Sequence, residues 1–298
     1  MKDNVLVLLS TYNGEKYLKN LLDSVLNQQG CNFNILIRDD CSKDNTVEII
    51  KEYQKKYDNI EFYTGENLGY AKSFWNLIQK SDDFNYYAFC DQDDIWLPNK
   101  LENAIKLIQK NKDKDNQPVL YTSNVICVDN NMNKLENKSF FCEKPLNIYE
   151  SFQKSILPGC TFVFNNNAKK ILKLYNGFME SHDWATYVII NTFGKVIYDS
   201  NSYIHYRIHE QNTIGATTKI KNLKIKIKRF FSKRKNTRSK FAKDFYETYS
   251  SKMKDTNLKN NIKQFGYYRE NILLKVKLLF NKKYKGMIFK FYVLLNRI

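Results

Sequence analysis

The most restrictive feature of this chain is a rhythm in which short apolar runs of strand length alternate with stretches whose apolar residues recur at helical spacing. Near-continuous apolar runs suit strands buried on both faces, and helical stretches between them suit crossover connections. The pattern therefore predicts an α/β fold, a mainly parallel sheet flanked by helices. Strands are expected at residues 5–9, 33–37, 60–63, 86–89 and 119–128, and later at 161–164, with two short ones near Val196 and Ile204. Inward helix faces are expected from Tyr17, Leu21, Leu22 and Val25, then from Val47, Ile50, Tyr53 and Tyr57. Phe74, Leu77 and Ile78 mark a third helix, and Leu101, Ile105 and Ile108 a fourth that opens at Pro98, with one more across residues 183–192. No internal repeat interrupts this order.

Polar clusters stand immediately after the strands. Thr11-Tyr12-Asn13, Asp39-Asp40 and Asp91-Gln92-Asp93-Asp94 each follow an apolar run, and in an open parallel sheet such carboxyl ends share one ligand-binding edge. Asp91-x-Asp93 has two readings: a pair of hard oxygen ligands for a divalent cation bridging a diphosphate, or a cap on the next helix. Asp39 and Asp40 repel one another unless a cation or hydrogen-bond donor lies nearby. A nucleobase N–H is one such donor; the other reading is a strand exit whose Ser42, Asp44 and Asn45 start a helix. The glycine-punctuated segment 65–72 brings backbone N–H groups and Lys72 towards phosphate, or is only a turn, and it matches neither familiar glycine-rich phosphate loop. Asp183, beside His182, is either a helix cap or a base at the crevice.

Charge divides the chain. Residues 219–298 hold 24 Lys and Arg against 4 Asp and Glu, although the whole chain is only +17. The division predicts a catalytic domain over residues 1–218 and a basic, mainly helical extension over 219–298. Ile220, Leu223, Ile227, Phe230 and Phe231 recur at helical spacing among lysines, which suits an anionic membrane surface. Leu258, Ile262, Phe265, Ile272, Val276 and Leu279 make a second apolar pattern, suited to packing, to a homodimer or to the bilayer surface. No apolar stretch has the length of a membrane span and none reads as a secretory leader. The six cysteines lack C-x-x-C spacing and read as reduced thiols of a cytoplasmic protein. No nucleic-acid-binding signature accompanies the basic charge, so no specific nucleic-acid partner is expected.

Taken in order, Ser10-Thr11-Tyr12-Asn13-Gly14, Asp39-Asp40-Cys41-Ser42-Lys43-Asp44-Asn45-Thr46, Asn67-Leu68-Gly69, Cys90-Asp91-Gln92-Asp93-Asp94-Ile95-Trp96, His182-Asp183-Trp184 and Tyr206-Arg207-Ile208-His209 resemble the family 2 glycosyltransferases of the GT-A fold. The last segments are most similar to the bacterial rhamnosyltransferase-like branch. The resemblance implies an inverting transfer of a sugar, rhamnose being one candidate, from a UDP- or dTDP-linked donor to a hydroxyl of a glycan or lipid-linked acceptor. It implies donor contacts from Thr11, Tyr12, Asn13, Asp40, Asn67, Lys72, Asp91 and Gln92, metal contacts to Mn²⁺ or Mg²⁺ from Asp93 and His209, and Asp183 as catalytic base. The setting it implies is bacterial surface-polysaccharide synthesis at the inner face of the cell membrane. Two rivals remain from the residues alone: a metal-dependent sugar nucleotidyltransferase, and a non-enzymatic protein that binds polyanions or membranes.

Overall fold

A computed structural model of the chain describes residues 3–111, 116–136, 145–154, 157–208 and 236–298. Among them one mixed sheet of eight strands runs β3-β2-β1-β4-β7-β6-β8-β5. Its strands are β1 (Asn4–Thr11), β2 (Asn32–Asp39), β3 (Ile60–Thr64), β4 (Tyr86–Asp91), β5 (Ile95–Trp96), β6 (Val119–Val128), β7 (Val163–Asn165) and β8 (Lys195–Arg207). β3, β2, β1 and β4 are mutually parallel, as are β6 and β8, while β7 runs antiparallel between the two groups.

The near-continuous apolar runs are what two-faced burial requires. Along β1, Leu6 and Leu8 enter one core while Val5, Val7 and Leu9 enter the other, and β4 divides in the same way, with Tyr87 and Phe89 opposite Tyr86, Ala88 and Cys90. Helices α1 (Leu18–Leu26), α2 (Thr46–Gln54) and α4 (Lys100–Asn111) cover the second core. On the first core lie α3 (Tyr70–Lys80), the short α5 (Ile148–Ser151), α6 (Asn166–Leu172) and α7 (His182–Phe193).

The structure amends the expected elements in four places. The inner face of α2 is Ile49, Ile50 and Tyr53; Val47 is only partly covered, and Tyr57 lies beyond the helix, exposed and stacked on Tyr53. The helix after Pro98 opens at Lys100, because Ile95 and Trp96 first pair with His205 and Ile204 and the Pro98 carbonyl accepts from the Gln29 N–H. The strand expected at 161–164 begins at Val163, after a 3₁₀ turn over Gly159–Thr161. The two short strands near Val196 and Ile204 are one, β8, whose register against β6 shifts between Ser123 and Ile126.

The last four helices, α8 (Thr237–Tyr249), α9 (Thr256–Tyr267), α10 (Ile272–Phe280) and α11 (Met287–Leu294), do not form a core of their own. Phe241, Phe245 and Tyr249 of α8 join Phe152, Tyr175 and Trp184 in the first core, so α8 packs on the sheet layer. The expected apolar stripe breaks after Phe265: Ile262 and Phe265 are buried, but Ile272 and Val276 are exposed, in a separate helix that Asn271 caps. The boundary at residue 218 and the basic stripe from Ile220 to Phe231 lie outside the described residues. No described helix is long and apolar enough to cross a membrane.

Candidate active site

After β1 the chain steps to β2 and β3 on one side, then crosses to β4 on the other side of β1, which makes a switch point where crevices form. Register aligns the three exits: Thr11 pairs with Asp39, and Ser10 with Asp91. The predicted convergence of the clusters 11–13, 39–40 and 91–94 on one edge is thus realised by β1, β2 and β4.

Side chains lace these exits together. Gln92 accepts from the Tyr12 N–H at 2.8 Å and donates to the Tyr12 carbonyl at 3.0 Å, tying β4 to β1. A Cβ at Gly14 would collide with that same Gln92 amide. Asn13 donates its N–H to Ser42 Oγ at 2.9 Å and accepts from the Lys43 N–H at 2.8 Å, while Gly14 donates to Thr46 Oγ1 at 2.7 Å. Asn13 and Cys41 hold these loops at positive φ, 47° and 69°; Asn tolerates that region, whereas for Cys it is uncommon.

The adjacent aspartates find their partners inside the chain. Asp39 accepts from Thr11 Oγ1 at 2.8 Å, Ser42 N at 2.9 Å and Ser42 Oγ at 2.6 Å. Asp40, equally buried, pairs with the Arg38 guanidinium and accepts from the Leu68 and Gly69 N–H groups, both at 2.8 Å. Arg38 also donates to the Glu66 carbonyl and Ser73 Oγ. The donor demanded by two neighbouring carboxylates therefore need not be a nucleobase. Tyr12, Asn67 and Lys72 are exposed around the same edge, Lys72 in the first turn of α3.

Across the switch point lies a carboxylate group. Asp91 and Asp93 are half-buried and Asp94 is buried. The Asp91 carboxyl is pushed well above the usual carboxylate range, first by burial and then by the charges of Asp93 and Asp183. That electrostatic reach also brings Asp183, in the first turn of α7, to the same rim. Asp183 Oδ1 accepts its neighbour's Trp184 N–H at 2.6 Å, and Gly159 leaves the space for close approach, since a Cβ there would stand 2.9 Å from Asp183 Cβ. Oxygen atoms of Asp91 and Asp94 and the sulfur of Cys160 lie within 4.8 Å of one another. Burial pushes the Cys160 thiol up, so it stays protonated beside Asp94.

Sequence reasoning missed the groups beneath this rim. Buried Arg207 donates its N–H to Asp94 Oδ1 at 3.2 Å, its Nε to the Asp93 carbonyl at 3.0 Å and its Nη1 to the Asn130 carbonyl at 2.9 Å, and its guanidinium sits 4.7 Å from the Tyr17 ring centroid. Buried Lys100 lies 3.6 Å from the Trp96 ring centroid, and burial lowers its pKa to about 8. Arg207 stood in the Tyr206-Arg207-Ile208-His209 segment without a role assigned to it, and for Arg38, within β2, and Lys100, at the start of α4, the signal available was only an isolated charge. His182 is a core residue, stacked 3.9 Å from Phe74 and edge-on to Phe89. His209 lies outside the described residues.

The family model of glycosyl transferase family 2 matches residues 6–172, more than half of the chain. The chain belongs to glycosyl transferase family 2. Within that family it is 32% identical over 231 residues to a Shigella flexneri dTDP-rhamnosyl transferase, RfbG, covering 72% of this chain and 75% of that one. Among solved structures, S. aureus TarS in complex with UDP-GlcNAc aligns with a TM-score of 0.57 at 16% identity, over 99% of this chain and 88% of that chain. A Pyrobaculum calidifontis mannosyltransferase in complex with GDP-Man and Mn²⁺ aligns at 0.52 and 14%, over 99% and 79%. At such identities the structural likeness carries the fold alone, and that fold is the GT-A glycosyltransferase architecture. The family 2 match ends at Leu172, ahead of Asp183, α7 and the last four helices.

Proposed function

We propose that this glycosyltransferase moves a sugar, with rhamnose the first donor to try, from a UDP- or dTDP-linked donor to a hydroxyl of a glycan or lipid-linked acceptor, with inversion, in bacterial surface-polysaccharide synthesis. The observation that carries the reading is the meeting of Asp91, Asp93 and Asp183 at the β1/β4 switch point, where each carboxylate raises the proton affinity of Asp91. Resemblance to the dTDP-rhamnosyl transferase supports the choice of sugar and base.

Asp183 acts as the base in this reading, taking the proton from the acceptor hydroxyl as its oxygen attacks the anomeric carbon. Thr11, Asp40 and Gln92, committed to bonds within the chain, fix the loops that the nucleotide meets, while Tyr12, Asn13, Asn67 and Lys72 face it. Mn²⁺ or Mg²⁺ suits the site: Asp91 and Asp93 offer hard oxygens in a region crowded with carboxylates, and buried Asp94 Oδ2 has no hydrogen-bond partner among the described residues. Asp93, Asp91 and His209 are the proposed holders, and the ion would offset charge on the departing diphosphate. Incubating the protein with a panel of UDP- and dTDP-sugars and Mn²⁺, with and without saccharide acceptors, tests the reading through release of free UDP or dTDP. Release from no donor, together with no nucleotide binding by calorimetry, refutes it.

A further inference from the structure

Helices α10 and α11 are apolar on two sides. Each buries one stripe, Leu278 in α10 and Phe289 with Val293 in α11. Each also leaves a second stripe open: Ile272, Leu273 and Phe280 are 69%, 67% and 79% exposed, and Met287 and Ile288 are 90% and 67% exposed. A helix that merely covers a core presents a polar outer face, and these do not. Lys275 Nζ donates to the Leu294 carbonyl at 2.9 Å, so the two helices form one unit.

The charge carried by this segment is of one sign. Residues 271–298 contain seven Lys and Arg and no acid. We propose that the outer face of α10 and α11 seats the protein on an anionic phospholipid bilayer, its apolar side chains in the headgroup–acyl boundary and its lysines on lipid phosphates. At nine and eight residues the helices are far too short to span and lie along the interface. A second copy of the chain is the poorer occupant, because a two-fold contact would set seven cations against seven like ones. This membrane contact is independent of the sugar chemistry and uses residues other than the basic segment 220–231.

The test is flotation of the full chain with phosphatidylcholine vesicles, with and without phosphatidylglycerol. The chain is expected to float with the anionic vesicles and to be released by high salt. A variant combining Ile272→Gln, Phe280→Gln, Met287→Gln and Ile288→Gln is expected to lose binding by about tenfold or more, with an unchanged melting temperature because all four side chains are largely exposed. Lys282→Gln with Lys285→Gln is expected to weaken binding by about fivefold per charge, which keeps the test open should the first variant fold poorly. Wild-type affinity in both variants overturns the proposal in favour of other basic segments. So does failure of the wild type to float, or a lipid-free dimer in ultracentrifugation that the apolar variant converts to monomer.

Discussion

Acid should weaken this fold through His182. The imidazole is 5% exposed and lies between Phe74 and Phe89, and neither ring nitrogen has a hydrogen-bond partner among the described residues. Burial pushes its pKa down to about 4, against 6.5 for a free histidine. A group with a depressed histidine pKa stays neutral in the native state while the unfolded chain takes up a proton. Its stabilising effect is therefore intact above pH 6.5 and is lost as pH falls from 6.5 towards 4. At pH 5 the unfolded imidazole is protonated roughly thirtyfold over neutral and the native one only about one-tenth, a loss of about 2 kcal/mol relative to pH 7.5. For a chain of this size that lowers the melting temperature by about 4 °C. His182→Phe keeps the aromatic stack and removes the titration. Melting curves of both proteins at pH 7.5 and pH 5 should show the wild type losing about 4 °C more than the variant. Equal losses, or an NMR titration of His182 with a midpoint near 6.5, would refute the burial argument.

Three further outcomes follow from the site. Asp183→Asn should retain nucleotide-sugar affinity within about twofold yet lower transfer by at least about a hundredfold, as removal of a general base does; steady-state turnover beside donor titration separates the two. Asp93→Asn should weaken Mn²⁺-dependent nucleotide binding by about tenfold or more while leaving metal-free binding alone, and identical calorimetric titrations would remove it as a ligand. Arg38→Met strips the cation from buried Asp40 and should cost about 3–5 kcal/mol in urea unfolding, with the companion Asp40→Asn recovering part of the loss.

Much of the sheet was legible because burial on both faces writes itself as an apolar run. β1, β2, β4 and β6 declare themselves this way, and polar residues at their ends disclosed the crevice. β5 was not legible: two residues have no periodicity, and Ile95 and Trp96 become a strand only because β8 lies beside them. β8 looked like two pieces since its polar middle, Asp199 to Ser202, passes the irregular stretch of β6. Arg38 escaped notice, and Arg207 stood in its segment without a role, for a related reason, as the carbonyls they hold, Glu66 and Asn130, lie tens of residues away. Basic composition beyond residue 218 suggested a helical extension but not where it packs, and the aromatic side chains of α8 settle into the core that α7 and Tyr175 began.

That shared aromatic cluster has a consequence during synthesis. On the ribosome, the sides of Phe152, Tyr175 and Trp184 that α8 covers stay bare until Tyr249 has left the exit tunnel, some 56 residues after α7 is complete. At 5–20 residues per second the wait lasts roughly 3–11 s. Nascent chains stalled in that interval should be a preferred client of holding chaperones, and any truncation ahead of α8 should accumulate as aggregate instead of a smaller working enzyme.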